Sequence, residues 1–270
     1  MMQIPVLTYH SNNVDGNEYH NNDHVAFELD LQLISKLGYE IISTHELVSI
    51  LKEKAGSSKK KYVCLTFDDG SDMDYHDWEH PFHGYQKSFL TMMQDFKNET
   101  GQNIHATSFV IADPQTRAEL TNTCTAGYPI WNSDWWKEAE KSGMLSIENH
   151  SWDHVHSTLK NTKTQKNIKG DFSGVDSFLD AKTQIAEASR FINSVIVGKK
   201  ISLFAYPYGH FNDYLVKQYF PYEQSEIIAA FTCEPQFVTQ DTNLWLIPRF
   251  VCGSHWKSSN GLRKILQMQS

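Results

Sequence analysis

Short apolar runs recur along the chain at residues 4–9, 39–43, 62–67, 106–111, 145–148, 201–206, 227–232 and 244–250, each followed by helical spacing or a polar excursion. Buried parallel strands read as such continuous runs, and their alternation with helices predicts a parallel α/β barrel. Helical spacing fills residues 28–37, 45–54, 85–100, 133–142, 175–197 and 258–268, with Thr44 and Ser133 as N-terminal caps. Gly38, Gly101, Gly143 and Gly198 follow four of these segments as stops. Polar insertions at 71–84, 113–131 and 157–174 each follow a strand run, so they gather over the barrel mouth where sites are built.

Size and composition fit that picture. With 270 residues, 40% hydrophobic and 13% aromatic, the chain can bury one large core, and no repeat, low-complexity tract or linker divides it, so 1–270 is expected to be a single domain. A net charge of -8 argues against nucleic-acid binding, and the basic run 59–61 reads as a solvated loop. The amino terminus lacks a basic leader region and no run of about 18 apolar residues occurs, so no membrane span is expected. As given, the chain reads as cytoplasmic, and as exported only if a leader has been removed. Its four cysteines lack C-x-x-C spacing; Cys64 reads as core, and Cys233 and Cys252 as neighbours that stay reduced.

Two motifs carry the chemistry. Thr66-Phe67-Asp68-Asp69-Gly70 ends an apolar run with adjacent carboxylates, which a buried site must offset with a cation or hydrogen bonds. In an extended strand the two acids would point apart; a turn at Gly70 would swing both toward one cavity. His150-Ser151-Trp152-Asp153-His154 follows another strand run and offers two imidazoles at i and i+4, on one face if the segment is helical. Together they predict one divalent ion held by Asp69, His150 and His154, with Asp68 left free as a base. Two imidazoles and a carboxylate leave positions open for water and substrate, as in catalytic sites. Zinc is the first choice, and Co, Ni, Mn or Fe fit the same donors. His76, His80 and His83 in the first insertion do not make a comparable case for a second ion, because acids and Pro81 break any helix there; a lid or rim that shapes substrate choice is expected instead.

These two motifs resemble the first signatures of the polysaccharide deacetylases, the NodB-homology enzymes of carbohydrate esterase family 4, and Phe204-Ala205-Tyr206-Pro207-Tyr208-Gly209 resembles their third. The resemblance implies an α/β fold of NodB type, a distorted (β/α) barrel of about seven strands, with Asp68 as base, Asp69, His150 and His154 as metal ligands, and the Tyr208 amide as an oxyanion donor. The family's Arg before the Pro is replaced by Ala205, and Arg249 is expected to brace Asp68 from a neighbouring strand. The carboxy-terminal Leu-x-x-His motif is also missing, but Leu7-Thr8-Tyr9-His10 has its spacing. Circular permutation would bring His10 to the same place as general acid, as in the branch that opens on a Tyr-His strand and includes biofilm poly-N-acetylglucosamine deacetylases; His255 is the reserve. Trp152, Tyr206, Pro207 and Trp245 are expected to contact the sugar, although about half of the aromatics near the motifs, including Trp135 or Trp136 on a helix face, would serve core packing. The implied activity is metal-dependent removal of acetyl groups from an N-acetylated sugar or polysaccharide, with an acetylated carbohydrate as partner and oligomeric state left open. Alternatives are O-acetyl ester hydrolysis, an Fe(II) oxygenase with the same donors, and a glycan-binding protein that has lost turnover.

Overall fold

The computed structural model describes residues 2–53, 60–222 and 226–268. Each apolar run contributes a strand: β1 (Val6–Tyr9), β2 (Tyr39–Ile41) and β3 (Lys61–Phe67) precede a hairpin of β4 (Trp78–His80) and β5 (Gly84–Gln86). The remaining runs give β6 (Ala106–Val110), β7 (Leu145–Asn149), β8 (Leu203–Ala205), β9 (Ala229–Phe231) and β10 (Phe250–Val251). Apart from the hairpin, the strands form one parallel sheet in the order β10-β1-β3-β6-β7-β8-β9. β2 stands off this path because the long β3 shares one edge, pairing its first residues with β2 and its last with β6. The sheet curls back on itself through the segment entering β10, where Ile247 bridges Phe231 of β9 before Phe250 and Val251 pair with β1. The run expected at 244–250 is a strand only at its end, since Pro248 has no N–H to give a ladder.

The strands are buried on both faces. Outward residues such as Leu65 and Phe67 pack with Phe27, Phe89 and Trp136 of the surrounding helices, whereas Val6, Cys64, Phe109, Ala205, Phe231 and Ile247 form a separate cluster. Thr8 and Thr66 are hydrogen-bonded at 2.9 Å between β1 and β3. At the sparse β7–β8 seam, the buried Glu148 carboxylate accepts the N–H groups of Ser202 and Leu203 and meets Lys199 at 3.3 Å.

Helices depart more from expectation. α1 (Asp23–Lys36) starts five residues before 28, because Asn22 Oδ1 accepts the N–H groups of His24 and Val25. The cap of α2 (Thr44–Glu53) is Ser43 rather than Thr44: Ser43 and Glu46 exchange backbone-to-side-chain bonds in a capping box. α3 (Phe89–Thr100) begins after 85 because the hairpin takes residues 84–86 and Ser88 caps the helix. The second insertion, expected as loop, contains α4 (Pro114–Thr123), started by an Asp113 cap with Pro at the first position. α5 (Trp136–Ser142) starts later than Ser133 and has no side-chain cap. The segment expected at 175–197 is α6 (Phe178–Ala181), a π-helical stretch at Lys182–Glu187 and α7 (Ala188–Ile196) in succession. A further π-helical stretch at Leu215–Tyr219 runs into α8 (Phe220–Tyr222), and α9 (Ser259–Gln267) closes the chain as expected. All four cysteines are free.

Candidate metal centre

Asp68 continues the line of Cys64 and Thr66 along β3. Asp69 would point to the opposite side if the strand stayed extended, but the chain turns at Asp69 itself, with φ 73°, and again at Gly70, also 73°. A Cβ on Gly70 would lie 2.5 Å from Val110 Cγ1, so the turn is both left-handed and sterically closed to other residues. This brings both carboxylates to the mouth.

His150 and His154 reach Asp69 by a different route from the helix expected. Residues 150–156 form an irregular turn with Ser151, His154 and Val155 at positive φ, held by the Asn149 side chain, whose Oδ1 accepts Ser151 N–H while its amide donates to Ile185 O and Ser189 Oγ. Non-glycine residues in that region store strain, and here it is spent on aiming two imidazoles. Asp69 Oδ1 lies 3.6 Å from Nε2 of both His150 and His154. Among the described residues these three form a cluster able to hold a metal ion.

The donor set fits a divalent ion on its own chemistry. A distance of 3.6 Å is too long for a hydrogen bond, but close to the roughly 3.4 Å between donors that share a tetrahedral ion with bonds of about 2.0–2.1 Å. His150 Nδ1 lies 2.9 Å from Ala205 O, which can only accept, so Nδ1 carries the proton and the neutral ring turns its Nε2 lone pair toward the carboxylate. Burial lowers the pKa of His150 against the pull of Asp68 and Asp69, and lowers that of His154 further, with His150 and His156 adding. At His150 this leaves an acceptor facing an acceptor, which a cation resolves.

Asp68 Oδ2 stands 3.9 Å from His150 Nε2, and Arg249 clasps its carboxylate with Nη1 to Oδ1 and Nη2 to Oδ2, both at 2.7 Å. Arg249 is fully buried and oriented by Thr232 O and Thr66 Oγ1. Burial alone would raise the Asp68 carboxyl; the Arg249 guanidinium overrides it, helped by His150 and His10, and holds it at about 2. In return, Asp68 raises the Arg249 pKa against the effect of burial.

His10 follows β1, its N–H donating to Asp23 Oδ2 at 2.8 Å, and its ring is near enough to favour the Asp68 anion and disfavour a His154 cation. The reserve candidate His255 is engaged elsewhere, its Nδ1 accepting Val251 N–H at 2.8 Å. Tyr208 sits in a tight turn at Pro207–Gly209 with φ 59°, its ring 4.5 Å from that of His154 and its hydroxyl accepting Ser157 N–H. Gly209 permits the turn, since a Cβ there would lie 2.6 Å from Cys233 Cβ.

The expected sugar contacts need correction. Tyr206 and Pro207 are buried, and the Tyr206 hydroxyl is used on Trp245 O. Trp245 stacks on Phe220 at 5.1 Å and Trp152 packs edge-on to Phe191, each half-buried with part of its surface left to solvent, whereas Trp131, Trp135 and Trp136 are buried. Tyr208, at 37% exposure, is the aromatic of the third motif that reaches solvent. Asp74, which reads in sequence as one of several loop acids, is instead fully buried and accepts hydroxyls from Ser11 and Ser108, each at 2.6 Å. Burial lifts its carboxyl to about 7 against those bonds, with Asp69 adding. A single sequence carries no signal that separates it from its acidic neighbours.

The polysaccharide deacetylase family model matches residues 55–223, well over half of the chain, which includes Asp68, Asp69, His150, His154 and Tyr208 but not His10 or Arg249. No curated protein sequence matches the chain. Among solved structures, the Streptococcus pyogenes deacetylase PplD, solved with acetate, is similar with a TM-score of 0.67 and 19% identity over 98% of each chain. IcaB from Ammonifex degensii is similar at 0.64 and 16% identity over 99% of this chain and 97% of its own. The BpsB deacetylase domain from Bordetella bronchiseptica is similar at 0.63 and 17% identity over 93% and 96%. At such identities the likeness carries the fold, a distorted (β/α) barrel of NodB type.

Proposed function

Since the chain belongs to the polysaccharide deacetylase family, we propose that it is a metal-dependent hydrolase that removes acetyl groups from an N-acetylated sugar or polysaccharide, with 1–270 acting as one catalytic domain. The observation that carries this is the placement of an Arg-clasped carboxylate, Asp68, beside the Asp69, His150 and His154 donors.

In this reading Asp69 and the two Nε2 atoms hold one divalent ion, zinc by preference. That ion supplies Lewis-acid polarisation of the acetyl carbonyl and of the attacking water. Arg249 keeps Asp68 anionic and fixed, so one carboxylate oxygen can accept a proton from the water as it adds to the carbonyl carbon. The clasp also lowers Asp68's basicity, so the proton it accepts is passed on rather than retained. The Tyr208 amide, presented by its left-handed turn, donates to the developing oxyanion. His10 protonates the departing amine, giving acetate and a free amino sugar, and its position after β1 supports the circularly permuted arrangement. Arg249 in the clasp, despite Ala205, supports turnover over the alternative of a glycan-binding protein that has lost it. Acetate release from chito-oligosaccharides against acetylated xylan tests the reading: faster release from the N-acetylated substrate supports it, and release from xylan alone assigns the site to O-acetyl esters.

A further inference from the structure

The loop after β1, which carries His10, is tied to both ends of the first insertion. Its backbone is pinned by Asp23, whose Oδ2 accepts His10 N–H at 2.8 Å and whose Oδ1 accepts the Asn13 amide at 2.7 Å. Ser11 is gripped at two atoms: its carbonyl oxygen lies 2.8 Å from His24 Nε2, and its hydroxyl donates to Asp74 Oδ1 at 2.6 Å. His24 Nδ1 in turn lies 2.7 Å from Lys87 O, where the chain leaves the hairpin, and the Asn22 amide donates to Gln86 Oε1 at 2.8 Å. The segment that leads into α1 therefore holds the exit of the insertion, and Asp74 holds its entrance.

Asp74 ends a single turn at Asp72–Asp74, which Ser71 starts directly after the Asp68-Asp69-Gly70 corner. Its second carboxylate oxygen accepts the Ser108 hydroxyl of β6 at 2.6 Å. One side chain thus joins the His10 loop, the corner that aims Asp69, and the neighbouring strand. Ser71 Oγ, 3.1 Å from Ser11 Oγ, accepts Met73 N–H and closes the cluster. Asp74, Ser11, Ser71 and Ser108 are all fully buried, so solvent does not compete for these bonds. A carboxyl group is costly to desolvate, and an apolar residue would fill the same space at lower cost. What the carboxyl adds is geometry: two oxygens at a fixed separation hold two hydroxyls in fixed places by short, strong hydrogen bonds. Position counts for a general acid, because a misplacement of about 1 Å can slow a reaction by about 10²-fold.

We propose that Asp74 is a positioning residue for His10: acting through the Ser11 hydroxyl, it fixes the place from which His10 delivers a proton to the leaving nitrogen, and it takes no part in holding the metal. The proposal rests on the deacetylase reading above. It is tested in zinc-loaded protein by acetate release from the β-1,4-linked pentamer of N-acetylglucosamine and from an aryl acetate, whose leaving group departs without a proton. Asp74→Ala is expected to retain its zinc and to lose about 10–10²-fold in kcat on the pentamer, with KM little changed and the aryl acetate much less affected. Asp74→Asn keeps an acceptor for Ser11 and should recover most of that loss. The double variant His10→Ala/Asp74→Ala should be no slower than His10→Ala alone, since the two residues act as one unit. Ser11→Ala deletes only the linking hydroxyl and should show the same selectivity between substrates, so the test stands even where Asp74→Ala does not fold. Zinc loss in Asp74→Ala, equal losses on the two substrates, a loss that multiplies with that of His10→Ala, or parent-like rates in Asp74→Ala and Ser11→Ala overturn the proposal. A parent that releases acetate from neither substrate removes the deacetylase reading instead. The His10 ring signal in NMR, identified by its absence from His10→Ala, then decides the positioning: a shift in Asp74→Ala that Asp74→Asn reverses supports it, and a signal unmoved in Asp74→Ala overturns it.

Discussion

Replacing Arg249 with Met removes the cation from a carboxylate that is 3% exposed, and does so in a site where the guanidinium itself is fully buried. Two bonds of 2.7 Å are lost together, and truncating one partner of a buried pair costs about 3–5 kcal/mol because the other charge is left uncompensated. The parent's Asp68, held at about 2, contributes roughly 2 kcal/mol of that at neutral pH, stability that is present above the unfolded value and lost as pH falls through the folded one. Without Arg249, burial dominates and the folded pKa rises above the unfolded one, so the sign reverses: Asp68 then favours folding less as pH rises. The variant's deficit against the parent should therefore be larger at pH 7 than at pH 4.5 in urea denaturation. The double variant with Asp68→Asn leaves neither charge unpaired and should recover at least about 2 kcal/mol relative to Arg249→Met alone. A single-variant cost below about 1 kcal/mol, or a double variant no more stable than the single one, refutes the clasp as the element that holds Asp68.

Gly70→Ala forces a Cβ into Val110 at a left-handed position and should cost more than about 1 kcal/mol while reducing zinc stoichiometry, read by thermal melting and metal analysis. Because burial keeps His150 and His154 neutral below the usual imidazole range, zinc affinity should stay level as pH falls from 8 to about 6.5 and decline only beneath it; a midpoint at or above 6.5 in a competition titration contradicts this. His10→Ala should slow acetate release from an N-acetyl substrate by about 10²–10⁴-fold and from an O-acetyl ester by much less, since an alkoxide needs an acid less than an amine does; equal losses on the two would argue against an acid role.

Strands were legible because a parallel sheet covered on both faces writes itself as continuous apolar runs, and the family motifs at 66–70 and 150–154 stand at two of their ends. What sequence hid was local. The three-residue strands of the hairpin are too short for alternation to declare them, and α4 is so polar that only Leu120 and a few neighbours are buried, leaving its Asp113-Pro114 start as the readable signal. The i, i+4 spacing of the two histidines suggested a helix turn, whereas positive φ at Ser151 and His154 does the aiming, a backbone property that residue type alone does not declare. Tyr206 illustrates a further limit: an aromatic near a strand end can face the mouth or the packing layer, and one residue of register decides which.

The most direct measurement is acetate release from the chitin pentamer by protein stripped of metal and then reloaded with zinc, with zinc content determined on the same samples of parent, Asp68→Asn and Asp69→Ala. The account predicts that the reloaded parent holds one zinc and turns over, that the stripped parent does not, that Asp68→Asn holds its zinc with a rate lower by about 10²–10⁴-fold, and that Asp69→Ala loses both. Full activity in stripped protein, parent-like turnover by Asp68→Asn, or parent-like zinc retention by Asp69→Ala would contradict it.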